Sequence, residues 1–234
     1  MSKQSFYKKT GKRLFDVATA TIGLLLLWPV LAVLALLVKF RSSGPILFRQ
    51  DRVGRGGKVF RIAKFRSMDV DAEQRGLQIT SAGDRRITPI GGILRRTKLD
   101  ELPQLWNVLR GEMSLVGPRP EVPSYVQTYT TEQREVLSVR PGLTDPASIL
   151  YREEEKLLAG QADPESYYRE IVLPAKLKLN LEYLSRVSFV RDVFLILQTM
   201  TCVLTPKGTS TKDCSSAGLH RCAQTWPATP NCSP

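Results

Sequence analysis

Residues 17–38 read VATATIGLLLLWPVLAVLALLV, a run of 22 residues without a formal charge. As a straight helix it would be about 33 Å long, enough to cross a hydrocarbon core of roughly 30 Å. It is too long for the apolar part of a signal peptide, and no polar cleavage region follows it. A plain spanning helix is the default reading, but two features weigh against it. Pro29 lies near the middle, where it removes a backbone hydrogen bond and tends to kink a helix. The flanks are also equally basic, with Lys8, Lys9, Lys12 and Arg13 before and Lys39, Arg41, Arg49 and Arg52 after. Orientation across a bilayer follows asymmetry of such charges, and here there is none. If both ends stay cytosolic, the segment dips into the membrane and returns, bending at Trp28-Pro29. Each arm of about 11 residues then reaches roughly 16 Å, about one leaflet. The balanced flanks favour this re-entrant form over a span.

Around that anchor, the 234 residues leave enough chain for one substantial core. A hydrophobic content of 42% and a charged content of 24% suit a globular domain and exclude a bundle of spans. The net charge of +12 is unusual, and much of it sits in Lys39–Lys98, with 15 basic residues against 5 acidic ones. Such a field attracts nucleotides, nucleic acid or anionic headgroups, although a basic surface also serves solubility. Three of the four cysteines, Cys214, Cys222 and Cys232, fall in a Ser-, Thr- and Pro-rich tail, and none forms a CxxC pair. This argues against a disulfide framework and suits a reducing compartment. Cys214, His220 and Cys222 lack the spacing of a metal site.

Gly44–Met68 reads as a hairpin: a turn at Gly44-Pro45, a short strand at Ile46–Phe48, a turn at Gly54–Gly57 and a second strand at Val59–Phe65. No GxxxxGK[ST] occurs, so the glycines are not a P-loop. Asp69–Ile90 is polar and predicts a helix and loop. Across Ile93–Leu109, Leu99, Leu102, Leu105, Trp106 and Leu109 recur at helical spacing. Val116–Pro120 is stiffened by two prolines. Ser124–Val139 and Pro164–Leu184 predict amphipathic helices, and Val187–Leu204 another that could lie on a membrane surface. The last residues, from Pro206, have the composition of disorder.

In this basic chain Leu99-Asp100-Glu101-Leu102-Pro103 stands out as an acidic pair between leucines. Pro103 suits a first helical turn, which places Asp100 near an N-cap, where it could be purely structural. Capping does not account for Arg95, Arg96, Lys98 and Arg119 nearby. Adjacent helical residues point about 100° apart, so the two carboxylates suit different tasks better than a shared proton. One could attack phosphorus, being ionised near neutral pH without a base. The other could hold a divalent metal against an anionic diphosphate.

Several segments together resemble the monotopic polyprenyl-phosphate phosphoglycosyl transferases, the bacterial sugar transferase family. They are Lys12–Asp16, Gly44–Gln50, Lys64–Met68, Thr97–Leu109, Gly111–Pro120 and Arg140–Thr144, and the likeness extends over roughly residues 8–204. It implies an α+β fold: a mostly helical cytosolic domain with a small β-hairpin, plus an N-terminal re-entrant membrane helix broken at Pro29, with Trp28 and Pro29 in the membrane. It divides the chain into a basic segment and anchor (1–41), a catalytic domain with a C-terminal surface helix (42–205) and a disordered tail (206–234). The implied reaction is ping-pong. Asp100 attacks the β-phosphate of a UDP-sugar, UMP leaves, and the phosphosugar passes to undecaprenyl phosphate, beginning assembly of a surface glycan. By motif match Asp100 and Glu101 are catalytic and hold Mg²⁺, while Lys64, Arg95, Arg119 and Arg152 contact phosphate or nucleotide. The expected setting is the cytoplasmic face of the bacterial inner membrane, with the lipid bilayer as a partner, no nucleic acid, and a homodimer among the allowed assemblies. One departure stands out. Many members follow Pro-Gly-Ile-Thr with Gly-Trp-Ala-Gln-Val-Asn-Gly-Arg, whereas this chain has Asp145–Tyr151 before Arg152.

Two rival readings are weaker. A nucleic-acid module needs interleaved aromatics or a recognition helix, and the aromatics here follow core spacing. A non-catalytic membrane scaffold has no need of Asp100-Glu101.

Overall fold

The computed structural model describes residues 7–72 and 79–204. The segment expected to anchor the chain is helix α1 (Lys12–Arg41), entered through a wide turn at Tyr7–Gly11. The interruption expected at Pro29 does not end the element, which is one helix with Pro29 inside it. Asp16, Ala20, Leu34 and Val38 are its buried positions, and their separations of 4, 14 and 4 are those of one helical face. That face packs on the rest of the protein along the helix: Ala20 joins Leu105 and Val108, while Leu34 and Val38 join Phe65 and Leu94. The other face is apolar and open, with Leu25 69%, Leu26 72% and Phe40 81% exposed.

Strands β1 (Leu47–Val53) and β2 (Val59–Phe65) form the expected antiparallel hairpin, with Leu47 opposite Phe65 and Val53 opposite Val59. Gly56 and Gly57 close it with φ of 68° and 78°, which L side chains avoid. Strand β1 runs further than Ile46–Phe48. The helix expected within Asp69–Ile90 is absent from its described residues before Pro89, which are turns and one bridge between Met68 and Ile87.

Helix α2 (Pro89–Thr97) begins with Thr88 accepting the Gly91 N–H and Pro89 in its first turn. The helical pattern of Ile93–Leu109 is then cut in two. Lys98 takes a left-handed conformation (φ 57°), a tight turn follows at Leu99–Glu101, and α3 (Gln104–Arg110) starts afresh. Leu105 and Val108 of α3 are buried, but Trp106 is 56% exposed, not in the core as its spacing predicted. Strands β3 (Ser114–Val116) and β4 (Gly142–Thr144) pair in parallel. A Cβ on Gly142 would collide with the Gly117 backbone, so glycine permits this close approach.

The amphipathic helix expected over Ser124–Val139 shrinks to α4 (Pro123–Gln127) and a 3₁₀ turn at Gln133–Ser138. The reason is local. Thr130 and Gln133 exchange side-chain and backbone hydrogen bonds at 3.0 and 3.2 Å, a capping box that starts a new element. Helices α5 (Pro146–Leu150) and α6 (Glu154–Ala159) follow. Pro164–Leu184 is helical as expected, through α7 (Pro164–Tyr167), a wide turn at Tyr168–Val172 and α8 (Leu173–Ser185). Helix α9 (Phe189–Leu204) is amphipathic: Asp192 and Leu195 are buried, and Phe194, Leu197 and Met200 are each more than half exposed. Buried Asp192 ties the two ends together, accepting from Tyr7 (2.6 Å), Tyr183 (2.5 Å) and Lys12. The protein is thus mostly helical, with small sheets and one long apolar N-terminal helix. The expected disorder of the tail from Pro206 falls outside the described residues, as do Cys214, His220 and Cys222.

Candidate active site

A cleft of about 1460 Å³ opens among the hairpin, the end of α2, the Leu99–Glu101 turn, the Arg119 segment, α5, α6 and α9. Roughly 300–1,000 Å³ is usual for a single small-molecule site, so there is room for more than one ligand. Of the residues marked in the sequence, Lys64, Arg95, Asp100, Glu101, Arg119 and Arg152 all line it. Trp28 and Pro29 lie elsewhere, on the exposed face of α1.

The Lys98 conformation makes the centre of this site. A left-handed residue other than glycine is uncommon and carries strain of order 1–3 kcal/mol. It ends α2 and turns the next residues inward, leaving Asp100 5% and Glu101 9% exposed. Asp100 is not the helix cap that the sequence allowed. No side chain caps the tight turn, the N-cap position of α3 is Pro103, and among the described residues Asp100 Oδ1 is buried without a hydrogen-bond partner. Glu101 is the opposite case. Arg119 grips both of its oxygens, Nη1 donating to Oε2 at 3.2 Å and Nη2 donating to Oε1, while Lys64 Nζ donates to Oε1 at 3.1 Å.

These contacts separate the two carboxyls electrostatically. Burial first, and then the charge of Glu101, pushes Asp100 above the usual carboxylate range. Burial would raise Glu101 too, but Arg119 and Lys64 outweigh it and hold Glu101 well below its ordinary value. The Glu101 charge in turn raises the Arg119 guanidinium, against burial. Burial lowers the Lys64 ammonium to about 8, although Glu101 opposes that shift. Glu101 is therefore a fixed anion bound to two cations, and Asp100 is a desolvated carboxyl with an open oxygen. An ionised carboxylate stripped of water and hydrogen bonds is the more reactive of the two toward an electrophile brought to it.

The remaining predicted residues occupy the rim. Arg95 Nη2 donates to Glu155 at 2.5 Å, tying α2 to α6, and Arg152 joins the wall just before α6. Sequence reasoning missed a second buried polar group in the same cleft. Glu121 accepts from Tyr168 (2.7 Å) and lies 3.5 Å from Arg52, and Lys176 reaches Glu154 at 2.9 Å. The position of Glu121 directly after the stiff Val116–Pro120 segment was the available signal. Asp145, in the departing loop, was also missed as a structural residue. Fully buried, it accepts from Ser148 N (2.7 Å), Asn180 Nδ2 (2.7 Å) and Arg119 N (3.3 Å), so it caps α5 and holds the Arg119 backbone.

A metal can be weighed against this donor set. Among the described residues no three His, Cys, Asp or Glu side chains gather as a metal cage. Mg²⁺ commonly needs only one or two carboxylates, with substrate phosphates and water completing its shell. The unpartnered Asp100 Oδ1 beside Glu101 fits that lesser requirement.

A profile of the family described as bacterial sugar transferase matches residues 7–206. The chain belongs to the bacterial sugar transferase family. Among similar members is the UDP-N-acetylgalactosamine-undecaprenyl-phosphate N-acetylgalactosaminephosphotransferase of Aeromonas hydrophila, 37% identical over 84% of this chain and 44% of that protein. The UDP-glucose:undecaprenyl-phosphate glucose-1-phosphate transferase of Caulobacter vibrioides is 37% identical over 83% of this chain and 70% of its own length. The exopolysaccharide production protein PSS of Rhizobium leguminosarum is 38% identical, over 83% and 95%. The chain thus spans less than half the length of the Aeromonas relative.

Proposed function

We propose that this family member transfers a sugar 1-phosphate from a UDP-sugar to undecaprenyl phosphate, as the first membrane step of surface-glycan assembly. The observation that carries the reading is Asp100, a buried carboxyl with a partnerless oxygen beside a cation-clamped Glu101 in a large basic cleft. The names of the relatives supply the substrate class, and because they differ in sugar, the sugar here stays open.

In the first half-reaction an Asp100 oxygen bonds to the β-phosphorus as the bond to the UMP oxygen breaks. In the second, a phosphate oxygen of the lipid bonds to that phosphorus and the bond to Asp100 breaks. Covalent catalysis of this kind divides one difficult transfer into two easier ones. Arg119 and Lys64 keep Glu101 anionic and fixed, and Arg95 and Arg152 on the rim meet the nucleotide and its phosphates. Asp100 and Glu101 are the residues that would hold Mg²⁺, which when bound would offset the charge of the diphosphate.

The domain reading is an anchor at 1–41, a catalytic unit at 42–205 and a tail beyond, on the cytoplasmic face of the inner membrane. Support for a re-entrant over a spanning anchor comes from packing. A helix held against Leu105 near one end and Phe65 near the other cannot cross a bilayer without drawing the catalytic unit in with it. The open face of α1 and the exposed side of α9 are the surfaces that would meet lipid. The test of the chemistry is trapping. Enzyme given a UDP-sugar labelled in the sugar, without lipid acceptor, should keep label on an Asp100 peptide and release UMP. Asp100→Asn should abolish both while folding normally, since Asp100 caps nothing. Near-normal turnover by a folded Asp100→Asn protein sinks the mechanism.

A further inference from the structure

One cation in the cleft has no role in this chemistry and no counter-charge. Arg66 is 4% exposed and makes no ion pair among the described residues. Its Nη2 donates to Ser42 O (2.9 Å) and Ser42 Oγ (2.6 Å), while Nε and Nη1 are buried without a partner among the described residues. Capping the end of α1 explains one nitrogen and leaves two unexplained. A buried guanidinium in this condition is costly unless an anion meets it, and Nε and Nη1, on opposite edges of the group, each keep an N–H to give to a phosphate oxygen.

The position of Arg66 narrows the choice of anion. It follows β2 and continues the ladder, its N–H donating to Ile46 O at 3.0 Å. By strand alternation it shares a face with Lys64, roughly 7 Å along, and both line the cleft. Lys64 and Arg119 are engaged with Glu101, and Arg95 with Glu155. Arg66 is a cation at the corner where α1 ends, its Nη2 on Ser42. Gly44 has a φ of 115°, and a Cβ there would overlap Arg66 Nη1, so glycine lets the guanidinium sit at that corner. A phosphate carried on a lipid would reach this corner from the surface that α1 contacts.

We propose that Arg66 binds a phosphate monoester at the end of α1, and that this phosphate is borne by the acceptor lipid. The proposal rests on the transferase reading above. The whole chain in nanodiscs with polyprenyl phosphate should unfold at a higher temperature than with polyprenol, and Arg66→Met should lose that difference. In turnover, Arg66→Met should raise the KM for polyprenyl phosphate by about tenfold or more, out of proportion to any change in UMP release from donor alone. Arg66→Lys should recover part of the loss. Inorganic phosphate should not compete with the lipid, and equal competition would make this a free-anion site and overturn the proposal. So would a parallel fall in UMP release and transfer, a rise confined to the donor KM, or failure of both variants to fold, which would leave Arg66 a helix cap. A wild type that releases no UMP from any UDP-sugar would defeat the transferase reading instead, while the nanodisc comparison would still decide whether Arg66 binds the lipid phosphate.

Discussion

Exchanging the partners at Asp145 and Asn180 offers a quantitative test of how the Arg119 segment is held. Asp145→Ala removes the α5 cap, about 1 kcal/mol, and strands the buried Asn180 amide donor, about 1–3 kcal/mol more. At roughly 2–4 °C per kcal/mol for a protein of this size, the unfolding midpoint should fall by about 10 °C. Asp145→Asn keeps one acceptor for Ser148 but turns an amide NH₂ toward donors on Asn180 and Arg119, so it should cost nearly as much. Asn180→Asp places two carboxyls at the 2.7 Å contact, which only a shared proton relieves. Combining the two restores one charged acceptor opposite one amide donor, in reverse order. The pair should therefore recover about 2 kcal/mol relative to the sum of the single changes, well beyond the roughly 0.5 kcal/mol scatter of independent sites. Thermal unfolding of the detergent-solubilised enzyme in a double-mutant cycle reads this directly. Additive losses would show that the contact does not hold the segment.

Other predictions address the centre and the anchor. Arg119→Lys keeps a charge but cannot engage both Glu101 oxygens, and turnover should drop about tenfold or more in a folded protein; unchanged kcat/KM would remove Arg119 from the clamp. Chelation should abolish UMP release and added Mg²⁺ should restore it, whereas full activity in excess chelator would refute a metal role. Single cysteines placed before Lys8 and after Arg41 should both resist an impermeant external reagent in intact cells. External labelling of the N-terminal site alone would replace the re-entrant anchor with a span.

Legibility in the sequence followed the range of the interactions. The hairpin was readable because Gly54–Gly57 separates two runs of strand-forming residues, and α9 because its polar positions fall on one side. The break at Lys98 was not readable: a lysine carries no left-handed signal, and the apolar spacing of Leu99, Leu102 and Leu105 runs straight through it. Pro103 as a first-turn residue made Asp100 a plausible cap, whereas the helix starts one residue later and Pro103 itself holds the N-cap position. The acidic pair itself was visible from composition, since it is the one acidic pair in a basic stretch. Its division of labour was not, because Lys64 and Arg119 approach Glu101 from positions 37 and 18 residues away. The Thr130–Gln133 capping box is a local signal, and the amphipathic spacing over Ser124–Val139 runs across it. Arg66 and Asp145 had no local signature, since what distinguishes them is burial among partners distant in the chain.

The inner stripe of α1 changes what the anchor is. Asp16 accepts the Leu115 N–H at 3.0 Å, Ala20 closes over Leu105 and Val108, and Val38 seals Phe65 and Leu94. A chain shortened to begin after Arg41 would not be a water-soluble form of the enzyme. It would expose two of the three apolar clusters among the described residues and leave the Leu115 amide unpaired beside the sheet that leads to Arg119. The hydrophobic helix is a wall of the folded unit, so exchanging it for a foreign tether of equal hydrophobicity should unmake the cleft around Asp100 even where the tether holds the protein to a membrane.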